Sequence, residues 1–196
     1  MGDSSYRGKL GRTVSLTVEQ ITATEDDKAL FDLLSAELQR LLPAEVQDDP
    51  DRYYRTLGEL PPGLRAMAGI YFFDVSMTMD SLAWHFGNQH DVRDVGETLS
   101  GLRELELTEI AGYFEQTWKF LEPHRAALES GDFGGKEFGD WLVDIGVQEL
   151  TDPWDDIIEQ RSEEGGDLGL LSSWPTYARK YPERCVVVAH TRELSS

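Results

Sequence analysis

Pairs of acidic residues one helical turn apart are the first feature of this sequence that suggests chemistry. Asp140 and Asp144 form one such pair, Asp155 and Glu159 form another, and Asp156 adjoins the second pair. On a helix, residues four positions apart lie about 5–6 Å from each other. Carboxylates at that distance can act as an acid and a base or hold Mg²⁺, although a solvated helix face is the commoner meaning.

The pairs belong to a dense acidic run. Between Glu129 and Asp167 there are 13 acids and two bases, a charge of −11 in 39 residues. Rows of carboxylates on rigid helices would have a spacing comparable with that of successive phosphates in a nucleic acid strand. The apolar residues that could hold those helices in place are Trp141, Leu142, Ile145, Trp154, Ile157 and Ile158. The candidate partner-binding residues are Asp140, Asp144, Asp152, Asp155, Asp156, Glu159, Glu163 and Glu164.

Histidine offers a second kind of chemistry. His85 and His90 lie five residues apart, on opposite sides of a continuous helix, and His90 with Asp91, Asp94 and water could hold a metal ion. The competing interpretation is a loop histidine in front of a helix whose first turn carries the acids. A metal-dependent hydrolase that uses His85, His90, Asp91 and Asp94 is therefore one alternative function.

Short catalytic motifs are missing from the sequence. It has no phosphate-binding glycine loop, no dinucleotide-binding glycine pattern, no nucleophile elbow and no paired-histidine zinc helix. The single cysteine, Cys185, excludes an intrachain disulfide, and its apolar surroundings favour a buried thiol over a nucleophile activated by His190. We therefore predict a protein that is not an enzyme and that has no cofactor and no metal ligands.

The overall charge limits the class of partner. The chain has 37 acids and 18 bases, a net charge of −19, and enough aromatic residues to fold. Nucleic acids and anionic membranes repel such a chain, because they bind proteins through lysine and arginine. No apolar run approaches the roughly 20 residues that span a bilayer, and the first residues lack the apolar core of a signal peptide. We expect a cytoplasmic protein with a basic protein partner, and neither nucleic acid nor membrane as a direct partner.

Helical periodicity dominates the chain. Thr24 is followed by acids and by leucines at helical spacing up to Pro43, which predicts an amphipathic helix. The stretch PPGLRAMAGIYFFDVSMTMD is apolar around most of its circumference and predicts the central, most buried helix. Further helices are predicted at SLAWHFG, DVRDVGETLSGLRELE, LTEIAGYFEQTWKFLEP, HRAALES, GKEFGDWLVDIGVQE, PWDDIIEQR and GLLSSWPTYARKYPE. The fold class is therefore all-α, as a compact, bundle-like domain over residues 24–196.

The first residues differ from the rest of the chain. Residues 1–16 carry a charge of +2, and Val14, Leu16 and Val18 alternate with polar residues, which predicts a short strand. The β-branched run CVVVAH near the other end predicts a second strand. We expect a separate arm over residues 1–23 and a small antiparallel ribbon between the two termini.

Two stretches resemble a known family. YFFDVSMTMDSLAWHFGN resembles the signature of the bacterial DNA-mimic protein family, in which an apolar helix with an acid leads through an Asn-Gly-Gly turn into a short aromatic helix. The chain departs from the signature at Met79, Asp80 and Ser81, which replace that turn, and at Trp84, where glutamine is usual. The ending SSWPTYARKYPERC is similar to the closing segment of the family. The matching positions are Tyr71, Asp74, Leu82, Phe86, Asn88, Tyr177, Pro182 and Glu183.

The resemblance implies an all-α fold, no catalysis, frequent dimers, and binding to a transcription factor in place of DNA. With the acidic run, it leads us to expect an acidic protein-binding module that occupies the basic surface of a DNA-binding protein and so regulates transcription. An immunity or antitoxin-type inhibitor of a basic toxin is the alternative within the same class of protein. A homodimer is also among the properties that the resemblance implies.

Overall fold

The computed structural model describes residues 15–187, and the regular secondary structure of that range consists of helices without a strand. The all-α prediction is confirmed. Three short 3₁₀ helices, Glu122–His124, Gly166–Ser172 and Pro182–Arg184, connect or follow the α-helices. The α-helices are α1 (Val18–Ala23), α2 (Asp27–Leu41), α3 (Ala44–Gln47), α4 (Pro50–Gly58), α5 (Pro62–Met79), α6 (Leu82–Asn88), α7 (Val92–Glu104), α8 (Thr108–Leu121), α9 (Arg125–Ser130), α10 (Phe138–Asp144), α11 (Val147–Glu164) and α12 (Ser173–Lys180).

Helix α5 lies at the centre of the fold, as predicted, and Pro62 occupies its first turn. One side of it is fully buried, through Leu64, Met67, Ile70 and Phe73. On its other side, apolar side chains remain partly exposed to solvent. The prediction that α5 is the central, most buried helix is therefore confirmed, although part of its apolar surface remains open to solvent. None of the helices between residues 15 and 187 is long and apolar enough to cross a bilayer.

Glycines allow α5 and α7 to touch backbone to backbone. A Cβ atom on Gly69 would lie 2.7 Å from the carbonyl oxygen of Glu97, and one on Gly101 would lie 2.7 Å from that of Ala66. Because both obstacles are backbone atoms of helices, neither can move aside cheaply. The close packing of α5 against α7 therefore requires glycine at positions 69 and 101.

Gly101→Ala should destabilise the protein by about 1–2 kcal/mol, since the overpacking cost exceeds the gain in helix propensity of about 1 kcal/mol. Gly96 is the matched control: it lies on the same helix, and a Cβ atom there meets nothing within 4 Å. Gly96→Ala should stabilise by up to about 1 kcal/mol. Urea unfolding of both variants checks this, and two shifts of the same sign would contradict the close helix contact.

The strand predicted near the start of the chain is wrong. Thr17 begins helix α1 with a capping box: its hydroxyl accepts from Gln20 N at 3.2 Å, and the Gln20 side chain accepts from Thr17 N at 2.9 Å. Leu16 and Ile21 are buried in the core, which also explains their apolar character. The division into an arm (1–23) and a domain (24–196) stays a prediction.

The partner strand of the predicted ribbon is also wrong where it can be compared. Cys185 and the two residues after it are not in a strand. The remainder of CVVVAH and Val14 lie outside the described residues. The two ends that were expected to pair therefore show no ribbon within residues 15–187.

Two helix boundaries differ from those predicted. Asp26, not Thr24, caps α2, because its carboxylate accepts from Ala29 N at 2.7 Å. Pro153 does not start a helix but lies inside α11, which joins PWDDIIEQR to the last residues of GKEFGDWLVDIGVQE. That predicted helix is itself divided between α10 and α11. Helices α3 and α4 were not predicted at all, although Asp49 before Pro50 is a common start for a helix. The continuity of α11 is what matters most for the acidic run.

Candidate functional site

Helix α11 is fixed to the body of the protein along one face. Val147, Thr151 and Ile158 are fully or almost fully buried there. Trp154, on the same face, stacks on Tyr113 of α8 with ring centroids 5.0 Å apart and planes inclined by 12°. Buried residues at spacings of three and four define one side of a helix. The 18 residues of α11 are thereby held as one rigid element despite Pro153.

The opposite face of α11 carries exposed carboxylates. Four of the acids that were predicted to bind a partner lie on that face, at intervals of four, three and four residues. Glu149, which was not among the predicted partner-binding residues, precedes the first of them by three residues. At 1.5 Å per residue the row extends about 21 Å. Among residues 15–187, none of these acids forms an ion pair. This acidic stripe consists of Glu149, Asp152, Asp156, Glu159 and Glu163.

The other predicted acids are partly neutralised or lie on α10. Asp144 pairs with Lys136, and Glu164 pairs with Arg161 at 3.1 Å. Asp140 is exposed in the first turn of α10, a helix that Trp141 and Leu142 anchor in the core. Of the two predicted rows, the one on α11 therefore presents most of the uncompensated charge.

Asp155 has a different environment from its neighbour Asp156. It is half-buried, and its carboxylate accepts a hydrogen bond from Leu82 N at 2.8 Å. Burial raises the pKa of Asp155, the bond from Leu82 opposes that shift, and the charges of Asp152 and Asp156 add to it. Asp155 thus binds the first turn of α6 and positions it. This contact gives Asp155 a structural role, and its predicted place on the partner-binding surface stays a prediction.

The turn before α6 is built without the glycines of the family signature. Ser81 caps α6 through its hydroxyl, which accepts from Trp84 N at 3.4 Å, and Asp155 satisfies Leu82 N. Asp80 has a φ of −138°, so the turn needs no left-handed residue. A serine and a distant aspartate therefore replace the Asn-Gly-Gly geometry.

Asp74, a position that matches the signature, has a structural role of the same kind. Its carboxylate accepts from Leu170 N at 2.9 Å, and burial raises its pKa. The segment that it holds contains Gly169 at φ 56°, where an added Cβ atom would lie 3.0 Å from Asp74 Oδ1. Asp74 therefore joins α5 to the segment that follows α11.

His85 is a core residue. Its Nδ1 lies 2.9 Å from the Ser76 hydroxyl, and its ring packs against Phe73, Phe86 and Phe114. Burial lowers the pKa of His85 to about 3, so the imidazole is neutral at pH 7. A neutral imidazole could serve as a ligand, but this one faces aromatic rings and not the acids with which it was grouped.

The two acids of that alternative metal site are engaged elsewhere, whereas the buried Nδ1 of His90 has no partner among the described residues. Asp91 caps α7, accepting from Arg93 N at 2.8 Å, and also pairs with the Arg93 guanidinium. Asp94 accepts from the Tyr54 hydroxyl. Across residues 15–187, no group of three or more His, Cys, Asp or Glu side chains is arranged to hold a metal ion. The four residues named for the hydrolase are therefore not assembled into one metal site within the described part of the chain.

Cys185 is fully buried, and burial raises the pKa of its thiol to about 12. The thiol is protonated at neutral pH and packs closely on Gly63, where a Cβ atom would lie 2.6 Å from Sγ. These contacts confirm the prediction of a buried thiol. His190, the base that a reactive cysteine would need, lies outside the described residues.

Comparison with known proteins gives no relative from which a role can be transferred. No family model matches this chain, and no curated protein or solved structure matches it significantly.

Proposed function

We propose that this protein is an acidic, non-catalytic binding module that resembles DNA to its partner, and that the acidic stripe of α11 occupies the basic surface of a DNA-binding protein. The observation that carries the proposal is the acidic stripe itself: five exposed carboxylates in register on one anchored helix, with no ion pair among the described residues.

Rigidity is what distinguishes such a stripe from an ordinary acidic surface. A single exposed ion pair contributes about 0–1 kcal/mol, because two flexible side chains must be ordered to form it. Trp154 and Ile158 fix the backbone beneath the stripe, so that several pairs can form at once for a smaller loss of backbone freedom. Five such pairs together contribute at most about 5 kcal/mol, so a complex held by the stripe should be sensitive to salt.

The sign of the charge decides the class of partner. A surface that binds DNA presents lysine and arginine at intervals suited to phosphates, and it releases counterions when those charges are met. The acidic stripe offers negative charges one helical turn apart, which suits the same surface. The resemblance to the DNA-mimic family supports this choice and adds a regulator of transcription as the expected partner and a homodimer as the expected assembly.

Charge reversal on the stripe tests the proposal. The variant Asp156→Lys, Glu159→Lys, Glu163→Lys should release the basic partner, because it reverses three of the five charges of the stripe and spares Asp155, which holds α6. The matched control is Glu45→Lys, Asp48→Lys, Glu59→Lys, which changes the net charge equally at exposed residues near α3 and α4.

The three proteins would be immobilised and exposed to lysate at low salt, and bound proteins would be eluted with a salt gradient and identified. We expect the native protein and the control to retain a basic DNA-binding protein that elutes at moderate salt, and the stripe variant to lose it. Equal retention on all three would refute a role for the stripe. Retention to high salt would instead favour the inhibitor of a basic toxin.

A further inference from the structure

A cleft on the exposed side of α5 has the composition of a small-molecule site. It lies between α2, α5 and α12, with one wall from α4, and has a volume of about 470 Å³. Sites for small ligands are concave, mostly apolar and of about 300–1,000 Å³. We name it the aromatic cleft, after the residues that matter here: Phe31, Leu38, Tyr53, Tyr71, Phe72 and Trp174.

The cleft exposes apolar side chains on the most central helix of the fold. Tyr71 and Phe72 keep 46% and 49% of their surface open to solvent. The two rings pack edge to face with their centroids 5.6 Å apart, so that they form one continuous aromatic surface. Removing such a surface from water is favourable, and a surface helix without a binding role usually carries polar residues there.

The cleft is also lined by a tryptophan whose indole N–H has no hydrogen-bond acceptor within residues 15–187. Trp174 is only 2% exposed and packs on Phe31 with ring centroids 5.2 Å apart, yet its indole Nε1 has no acceptor among the described residues. A buried N–H group without a partner costs free energy, and most such groups in proteins are satisfied. The indole N–H of Trp174, a residue that lines the cleft, therefore lacks an acceptor within the described part of the protein.

The charges around the cleft select against ions. Of the described residues that line it, Asp32 alone is charged, and it pairs with Lys28. The Gln47 amide is already used, since it donates to the Leu42 carbonyl at 2.6 Å. No base within residues 15–187 lines the cleft to receive an anion, and an aspartate that is already paired offers little to a cation.

We propose that the aromatic cleft binds an uncharged, apolar small molecule that presents a carbonyl or similar acceptor to the indole N–H of Trp174. Residues of α11 do not line the cleft, so the proposal does not rest on the function assigned to the acidic stripe. The protein then has two separate binding surfaces, one for a basic protein and one for a neutral ligand.

Nile red is a suitable probe, because it is uncharged, flat and apolar and carries one ring carbonyl. Titrated into the full chain, its fluorescence should shift to the blue and saturate at one dye per protein. Ser35→Phe places a ring in the cleft and should weaken binding at least tenfold. Val75→Ser removes an exposed apolar residue of α5 outside the cleft and should leave binding unchanged. Equal binding by both variants would overturn the proposal.

The acceptor is tested separately. Trp174→Phe keeps an aromatic ring but removes the N–H, and should weaken binding roughly threefold to tenfold, the value of one hydrogen bond. The indole proton of Trp174, assigned with the same variant, should move downfield when the dye binds. Saturable binding without that shift would refute the role of Trp174.

A second copy of the chain is the main competitor for the cleft. Sedimentation without dye distinguishes it: we expect Phe72→Ser to leave the assembly state unchanged while it weakens dye binding. A dimer that Phe72→Ser dissociates would assign the cleft to a protein interface and overturn the proposal of a small ligand.

Discussion

Acidification from pH 6.5 to pH 4 should cost this protein about 3 kcal/mol of folding free energy through His85 alone. In the unfolded chain this imidazole gains a proton near its ordinary pKa of about 6.5, whereas burial lowers its pKa to about 3 in the folded state. The stability that the neutral ring contributes is therefore complete above pH 6.5. It falls by about 1.4 kcal/mol for each pH unit below that.

The variant His85→Gln isolates this effect, because an amide of similar length can still bond to Ser76 but does not titrate in this range. Urea unfolding at several pH values should show that the native protein loses more stability than the variant between pH 6.5 and pH 4. The two curves should run parallel above pH 7. Parallel curves throughout would contradict a buried, neutral His85.

Buried carboxylates act in the opposite direction at lower pH. Burial raises the pKa of Asp74, Asp94 and Asp155. A group whose folded pKa is raised adds stability as the pH falls through that value, and the gain is complete below its unfolded pKa. These acids therefore offset part of the loss from His85 only at the acidic end of the range. The comparison with His85→Gln cancels their contribution, since both proteins contain them.

Removing the Asp155 carboxylate should destabilise the protein by about 2–3 kcal/mol, while removing that of Asp156 should change stability by less than about 0.5 kcal/mol. Asp155→Ala leaves Leu82 N without its acceptor at the start of α6. Asp156→Ala removes an exposed group that makes no ion pair with the described residues. Thermal and urea unfolding of the two variants measure the difference directly.

The conservative substitutions separate structure from binding. Asp155→Asn keeps an oxygen for Leu82 N and should retain most of the stability and the affinity for a basic partner. Asp156→Asn should be as stable as the native protein but should bind the basic partner more weakly. A loss of affinity in Asp155→Asn with intact stability would return Asp155 to the binding surface and contradict its role as a cap.

Local sequence patterns were sufficient to predict most of the helices. The leucine period of α2 and the proline start of α5 both specify structure through neighbours along the chain. The strand assigned around Val18 failed because period-2 alternation over five residues is also compatible with a capped helix, which Thr17 and Gln20 specify. The capping box was visible in the sequence and should have decided between the two.

The site was less predictable than the fold. Pro153 suggested a helix start, although tertiary packing of Trp154 keeps α11 continuous through it, and only a continuous helix aligns Glu149 with the other acids of the stripe. The role of Asp155 depends on Leu82, 73 residues away, so no local pattern could distinguish it from Asp156. The aromatic cleft could not be predicted from the apolar pattern of α5, because its walls come from residues of α2, α4, α5 and α12 that are far apart in the sequence.

Competition with DNA is the measurement that tests the central claim most directly. A partner recovered through the acidic stripe would be saturated with its own DNA site, and the protein would then be added at low salt while DNA release is followed by fluorescence anisotropy. If the protein binds in place of DNA, a high concentration of it should release all of the DNA from the partner, and no complex should contain both the protein and DNA. The variant Asp156→Lys, Glu159→Lys, Glu163→Lys should release no DNA. A stable ternary complex would contradict the account, because the stripe would then lie on some surface other than the one that holds DNA.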